Sequence, residues 1–271
     1  MTVLPVMRRC MENGRLALYH EGISEPFYDQ HWRRHANPEI LAKAEEEGLG
    51  VLEDILCKWL PKEGIILDAG CGLGQYVLAL RQRGYQACGV EFSAETVDWI
   101  VQHRPDIPIG QGDITALQVA DGYYAAYFSQ GVLQEFYAGP DKALAEAFRV
   151  LRPGGVVILT ILHFNWLRRW KYRLGMYRRR LTDWHFYAFA YTPEEFSGWM
   201  TDKGFIVEEW MGLHPYKGFK DELPLWLRLL LRRPWLGPRL EWRLRRLFNQ
   251  NKKMAQKVDH LFVIVGRKPL R

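Results

Sequence analysis

Ten residues constrain the fold more than any other stretch of the chain: Ile65-Ile66-Leu67-Asp68-Ala69-Gly70-Cys71-Gly72-Leu73-Gly74. A short apolar run enters three glycines at alternating positions, and a helical pattern over residues 75–83 follows at once. Glycine permits the tight reversal and lets a ligand lie against the backbone without a Cβ in the way. A strand that hands over to a helix through such a turn is the opening of a βαβ unit, so it belongs in a buried parallel sheet. An α/β fold with a ligand at the carboxyl end of that strand is therefore expected.

The rest of the chain agrees. Apolar runs at 87–90, 107–109, 123–128, 156–162, 205–207 and 261–265 read as further strands. Helical stretches separate them: one after Ser93, which is placed to cap it, and one over residues 141–151. Another starts at Thr192-Pro193-Glu194-Glu195, with Thr192 as cap and Pro193 in the first turn. Leu49, Leu52, Ile55, Leu56 and Trp59 recur at helical spacing within residues 28–60, and Pro61 ends the run. Residues 1–25 read as an arm. The alternation fails at about 163–191 and again at about 215–258, so residues 61–271 read as one domain with two insertions.

Composition narrows the partners. Four cysteines (Cys10, Cys57, Cys71, Cys88) form no C-x-x-C pair, which argues against a zinc knuckle and a disulfide scaffold and for a reducing compartment. No metal site is expected. The first residues lack the apolar core of a secretion signal, and no strongly apolar stretch reaches the length of a membrane span. A cytoplasmic protein is expected. The net charge of +6 is unevenly divided. Residues 1–165 carry 14 Lys/Arg against 21 Asp/Glu, while residues 166–271 carry 23 against 10 and hold eight of the eleven tryptophans. An acidic front and a basic, Trp-rich back suggest an anionic partner for the back.

The acids beside the glycines indicate the ligand. Glu91 ends the second strand, where a carboxylate accepts from both ribose hydroxyls. A nicotinamide-binding G-x-G-x-x-G starting at Gly70 needs glycine at 75, and Gln75 stands there. Asp68 also speaks against a pyrophosphate, which wants positive potential at the helix start. An acid there suits an ammonium group.

At these residues the chain resembles the class I S-adenosylmethionine (AdoMet)-dependent methyltransferases of the small-molecule branch, well over residues 60–162 and loosely beyond. The resemblance implies that Asp68, Gly70, Cys71, Gly72 and Gly74 line the methionine part of AdoMet. It implies that Glu91 holds the ribose, with Phe92 beside the adenine and Ser93 next to them. Gly112-Asp113-Ile114 is similar to a further motif in which Asp113 accepts from the adenine amino group and Ile114 packs on the ring. Ser129-Gln130-Gly131-Val132-Leu133 resembles the segment after the fourth strand, and residues 149–155 the turn into the fifth. Tyr28-Asp29-Gln30-His31-Trp32 resembles an N-terminal segment that covers the cofactor through Tyr28 and Trp32, so residues 1–60 would be an arm with cofactor-covering helices. The implied fold is a three-layer, Rossmann-like, seven-stranded sheet in the order 3-2-1-4-5-7-6 with the last strand antiparallel. One departure is Ala125, where the family usually has an acid early in the fourth strand; Asp121 and Glu135 are uncertain stand-ins.

The implied activity is methyl transfer to a small or lipid-like acceptor. Alternatives are a non-catalytic AdoMet-binding protein and an RNA methyltransferase; a nicotinamide oxidoreductase is disfavoured by Gln75. Methyl transfer needs mostly positioning, and a base only for a protonated acceptor. His163, one residue past the fifth strand, and Glu135, after the fourth, are the candidate bases. A loop-bonded histidine and a solvated acid are the plain alternatives. No Asp/Asn-Pro-Pro-Tyr/Phe follows the fourth strand and no Pro-Cys pair occurs, so DNA is not an expected substrate. In the second insertion Pro234 and Pro238 are expected to divide two short helices. Leu240, Leu244, Leu247 and Phe248 then share one face, and Arg239, Arg243 and Arg246 another. Two readings stand for it: a lid helix packed on the sheet, or an element on an anionic membrane surface.

Overall fold

The structure, a computed structural model, describes residues 7–21, 41–42, 46, 48–177, 184–231, 233 and 237–271. Ten strands form two sheets among these residues. β1 (Met7–Glu12), β2 (Arg15–Glu21) and β8 (Trp184–Ala190) make a three-stranded sheet in the order β1-β2-β8. β3 (Ile65–Ala69), β4 (Gln86–Glu91), β5 (Ile109–Gln111), β6 (Tyr124–Gln130), β7 (Leu151–Leu162), β9 (Ile206–Leu213) and β10 (Leu261–Arg267) make a seven-stranded sheet in the order β5-β4-β3-β6-β7-β10-β9. Numbered within that sheet alone, the order is 3-2-1-4-5-7-6, mostly parallel with an antiparallel last strand, as the resemblance implied.

The chain divides into two compact units. One comprises residues 22–160, 197–209 and 264–271. In it β3 pairs in parallel with both β4 and β6 and so takes the centre. Ile66, Leu67, Asp68 and Ala69 are all buried, as are residues 124–129 of β6, because helices cover both faces of a parallel sheet. Those helices include α1 (Glu53–Trp59), α2 (Gln75–Gln82), α3 (Ala94–His103) and α4 (Asp141–Val150). The Ser93 side chain accepts from the Thr96 amide at 3.2 Å, so the cap read from sequence starts α3.

The other unit comprises residues 1–21, 161–196 and 210–263. Here the structure departs from the sequence reading: residues 7–21 are a hairpin rather than an irregular arm. Asn13 (φ 51°) and Gly14 (φ 76°) make its two-residue turn, in which both positions need positive φ. β8, inside the stretch where regularity was expected to fail, pairs antiparallel with β2 from Leu16↔Ala190 to Glu21↔Trp184, with a bulge between Leu18 and Tyr19. Leu16, Leu162, Phe164 and Ala190 are buried together beneath it.

α5 (Trp166–Arg173) lies in this unit, whereas α6 (Pro193–Asp202), whose start is capped by Thr192 accepting from the Glu195 amide at 3.1 Å, passes into the other after Phe196. α7 (Pro215–Glu222), α8 (Leu225–Leu230), α9 (Gly237–Gln250) and α10 (Lys252–Gln256) follow. Pro238 lies in the first turn of α9; Pro234 is outside the described residues. Leu244 and Phe248 of α9 pack with Tyr216, Phe219 and Val258, whereas Leu247, expected on the same face, is exposed. The packed face is narrower than the spacing suggested.

Candidate functional site

The site is built at the carboxyl ends of β3, β4 and β6. Gly70, Gly72 and Gly74 all take positive φ, at 76°, 54° and 74°. At Gly70 a Cβ would stand 2.5 Å from Val132 Cγ2, and at Gly74 2.4 Å from Ile109 Cδ1, so neither conformation nor space admits a side chain. The Gly70 and Cys71 amides donate to the Val90 carbonyl at 2.8 and 3.1 Å, which holds the loop against the end of β4.

Glu91, buried, is the hub. Its Oε2 accepts from the Gly72 amide at 2.9 Å and its Oε1 from the Ser93 amide at 3.1 Å. One carboxylate thus joins the glycine loop to the start of α3. Both oxygens retain lone-pair capacity for further donors.

Asp68 lies at the end of β3, 2% exposed, and its Oδ2 has no hydrogen-bond partner among the described residues. Burial, reinforced by the Glu91 charge, pushes its carboxyl up to about 8. Among the described residues neither acid is paired with a Lys or Arg. Two buried carboxylates without a cation of their own make a site that favours a positively charged group.

The third wall comes from β6. The Ser129 hydroxyl donates to the Ala69 carbonyl at 2.6 Å, and Asp68 and Phe128 are in register. The Gln130 side chain bonds the Tyr76 hydroxyl; burial and then the Asp68 charge push that phenol up to about 12. Tyr76 is a site residue that the sequence reading missed. A tyrosine in the first turn of a helix carries no signal of its own.

The motif after β5 is adjacent, because Glu91 is in register with Gln111 and its carbonyl accepts from the Gly112 amide at 3.0 Å. Asp113 is exposed, and its Oδ1 accepts from the Thr115 amide and hydroxyl, both at 2.8 Å; Ile114 is buried. Phe92 is 69% exposed. Asp68, Gly70, Cys71, Gly72, Gly74, Glu91, Ser93, Ser129 and Gln130 are therefore brought together, with Phe92, Asp113 and Ile114 along the same edge. Tyr28 and Trp32 lie outside the described residues.

The two candidate bases differ in setting. Glu135 is half-buried at the end of a 3₁₀ turn (Leu133–Glu135). Asp121, the other stand-in, is held by Arg149 at 2.6 Å. His163 belongs to the other unit and is buried there between Trp210 and Phe262, whose rings meet it edge-on at 6.2 and 5.5 Å. Its Nδ1 has no partner among the described residues. Burial first, then the Arg168 and Arg169 charges, lowers it to about 3, so the ring is neutral across the physiological range. No group of three or more His, Cys, Asp or Glu among the described residues is arranged to hold a metal.

The family model described as a methyltransferase domain matches residues 67–159. A malonyl-acyl-carrier-protein O-methyltransferase of Pectobacterium atrosepticum is 36% identical over 98 residues, covering 36% of this chain and 38% of that protein. A demethylmenaquinone methyltransferase of Renibacterium salmoninarum is 33% identical over 94 residues, covering 35% and 39%. The match thus spans about two fifths of those relatives. Among solved structures, a SAM-dependent methyltransferase from Methanosarcina mazei superposes with a TM-score of 0.56 at 19% identity, over 80% of this chain and 98% of that one.

Proposed function

We propose that residues 67–159, which match a methyltransferase-domain family, form a class I AdoMet-dependent methyltransferase domain, and that the chain binds AdoMet and transfers its methyl group to a small or lipid-like acceptor. The observation that carries the reading is the pair of buried carboxylates, Asp68 and Glu91, around the glycine loop. The residues present fit the cofactor. Asp68 has an orphaned oxygen for an ammonium, Glu91 has spare acceptor capacity for ribose hydroxyls, and Gly70 and Gly74 hold the loop in a turn that no side chain could adopt.

When bound, AdoMet supplies a methyl group already activated on a sulfonium. The protein's own work is then binding and alignment. Ionised Asp68 holds the amino-acid end, Glu91 fixes the ribose, and Phe92, Asp113 and Ile114 serve the adenine. Glu135, in the same unit as the cofactor residues, and His163, a neutral ring buried in the other unit, are the candidate bases for a protonated acceptor. The malonyl-acyl-carrier-protein O-methyltransferase and demethylmenaquinone methyltransferase relatives support a small or lipid-like acceptor. The four free thiols support a reducing, cytoplasmic setting.

Calorimetric titration tests the cofactor. Asp68→Ala and Glu91→Ala each lose a charge-assisted hydrogen bond worth about 1.5–3 kcal/mol, so AdoMet affinity should fall on the order of 10- to 100-fold while NAD shows no binding to any form. Unchanged AdoMet affinity in both folded variants would refute the assignment. Release of S-adenosylhomocysteine in the presence of acyl-thioester, quinol and RNA acceptors then tests the transfer.

A further inference from the structure

α5 is built inside out. Its buried side carries Leu167, Arg168 and Lys171, while Trp166, Arg169, Trp170 and Arg173 are exposed on the opposite side. Steps of three and four residues set the latter on one face. Trp166 is 48% and Trp170 46% exposed, and their rings stack 6.3 Å apart. Arg168 is accommodated inside by Glu222 of α7 at 3.1 Å, and Lys171 reaches the same carboxylate at 2.8 Å. Buried Arg168 and half-buried Lys171 are thus both paired with Glu222, and the outer face keeps its aromatic rings and its other arginines.

The neighbouring helices repeat the pattern within the same unit. α9 buries Leu244 and Phe248 against α7 but exposes Trp242 (60%) and Leu247, with Arg239, Arg243 and Arg246 also exposed. The Arg246 guanidinium lies over the Trp242 ring at 5.4 Å, and Lys257, just after α10, lies over Trp166 at 5.7 Å. The Leu167 amide donates to the Lys257 carbonyl at 3.1 Å, which joins α5 to the end of α10. Leu174 and Met176, at the end of α5, are also exposed. Charge is one-sided: residues 237–257 hold seven Lys/Arg and a single acid, Glu241, which Arg245 occupies at 2.7 Å.

We propose that the layer of α5, α7, α9 and α10 is a docking surface for an anionic phospholipid bilayer. Tryptophan rings and short apolar side chains would sit at headgroup depth, with the surrounding arginines and lysines on lipid phosphates. The exposed Leu174, Met176 and Leu247 favour a bilayer over a nucleic acid, since a phosphate backbone offers nothing to aliphatic side chains. Among the described residues no helix is long and apolar enough to cross a membrane, so the contact is interfacial. The proposal stands apart from the methyl-transfer reading, and either can fail alone.

Flotation of the full chain with vesicles tests it. The chain should float with phosphatidylcholine–phosphatidylglycerol vesicles at low salt, with a blue shift of tryptophan emission, and not with phosphatidylcholine alone. High salt should release it. Each exposed cation contributes about fivefold, so Arg239→Gln/Arg243→Gln/Arg246→Gln should weaken binding on the order of 100-fold. Trp170→Ala/Trp242→Ala, at solvent-facing positions that leave the circular dichroism unchanged, should remove most of the blue shift and most of the flotation. Absence of flotation with anionic vesicles at low salt overturns the proposal. So does binding that survives the tryptophan substitutions and is displaced by single-stranded RNA, which would identify a nucleic-acid surface.

Discussion

Asp68 shows how a single side chain ties stability to function. Its carboxyl, pushed up to about 8 by burial and the Glu91 charge, is neutral in the ligand-free fold at neutral pH, whereas in the unfolded chain it ionises near 3.8. The unfolded chain therefore gives up a proton between about pH 4 and pH 8 that the folded chain retains, and stability falls as pH rises through that window. An ammonium ligand needs the ionised form. AdoMet affinity should accordingly rise with pH, by at most about tenfold per unit, until it levels near pH 8. Asp68→Asn should flatten that dependence, weaken AdoMet and stabilise the ligand-free protein at pH 8 by about 1–3 kcal/mol. Calorimetry and urea unfolding across pH 6–9 would check both arms; an unaltered slope in the Asn variant would show that another group sets it. The importance of Asp68 was legible in the sequence, because a carboxylate at that strand end is chemically conspicuous. Tyr76 was not: a tyrosine in a helical first turn is unremarkable until the fold sets it between Gln130 and Asp68.

At the scale of elements, α5 meets α7 through Leu167 on the Tyr216 cluster and through one buried carboxylate. Glu222 receives Arg168, Lys171 and Arg9, the last at 3.4 Å, and the Tyr177 hydroxyl at 3.0 Å. Burial pushes its carboxyl up, but the Arg9, Arg168 and Lys171 charges outweigh that and hold it down at about 2. Glu222→Gln would leave the Arg168 guanidinium buried without its counter-charge, at about 3–5 kcal/mol. Arg168→Met/Glu222→Leu, which removes both charges, should recover much of that loss, as read from denaturant midpoints at constant slope. Equal losses in the two variants would mean that shape rather than charge holds the helix. Nothing in the spacing of residues 166–173 announces this. A run of tryptophans and arginines reads as polar surface or as apolar face, and only the position of Glu222 decides which arginine goes inside. The hairpin, by contrast, was signposted by Asn13-Gly14, the strongest short-range turn signal available. Its strands escaped notice because they carry mixed polar and apolar residues without clean alternation.

For the molecule as a whole, acid acts through groups of opposite sign: Asp68 and Asp259, raised by burial to about 8 and about 7, favour the fold as pH falls, while the buried histidines and Glu222 oppose it. His163 is lowered to about 3, while an unfolded histidine takes its proton near 6.5. At this ring the unfolded chain gains its proton first, so His163 contributes a loss of stability as pH falls from about 6.5 toward 3. Glu222 stays ionised down to about 2 against an ordinary 4.5, which adds a second loss below about pH 4.5. Each group contributes a slope of at most about 1.4 kcal/mol per pH unit. Unfolding midpoints measured from pH 7 to pH 3 should show a shallower acid slope in His163→Gln, the share due to the likewise lowered His214 and His260 remaining. An unchanged slope in this variant would assign the loss to those other groups.

The sequence by itself determined the half of the protein written in local spacing. The βαβ alternation, the glycine turn, the caps at Ser93 and Thr192 and the acids at Asp68 and Glu91 follow from short-range sterics and hydrogen bonding, which neighbouring residues specify. Tertiary structure alone decided the rest. It set β8 beside β2 across about 170 residues of chain, buried Arg168 while leaving Trp166 and Trp170 outside, and closed the His163 ring behind Trp210 and Phe262. Those outcomes depend on which distant surface each segment meets. Cross-strand pairing, burial of a charge and the proton affinity of a ring are properties of an environment that the flanking residues do not contain.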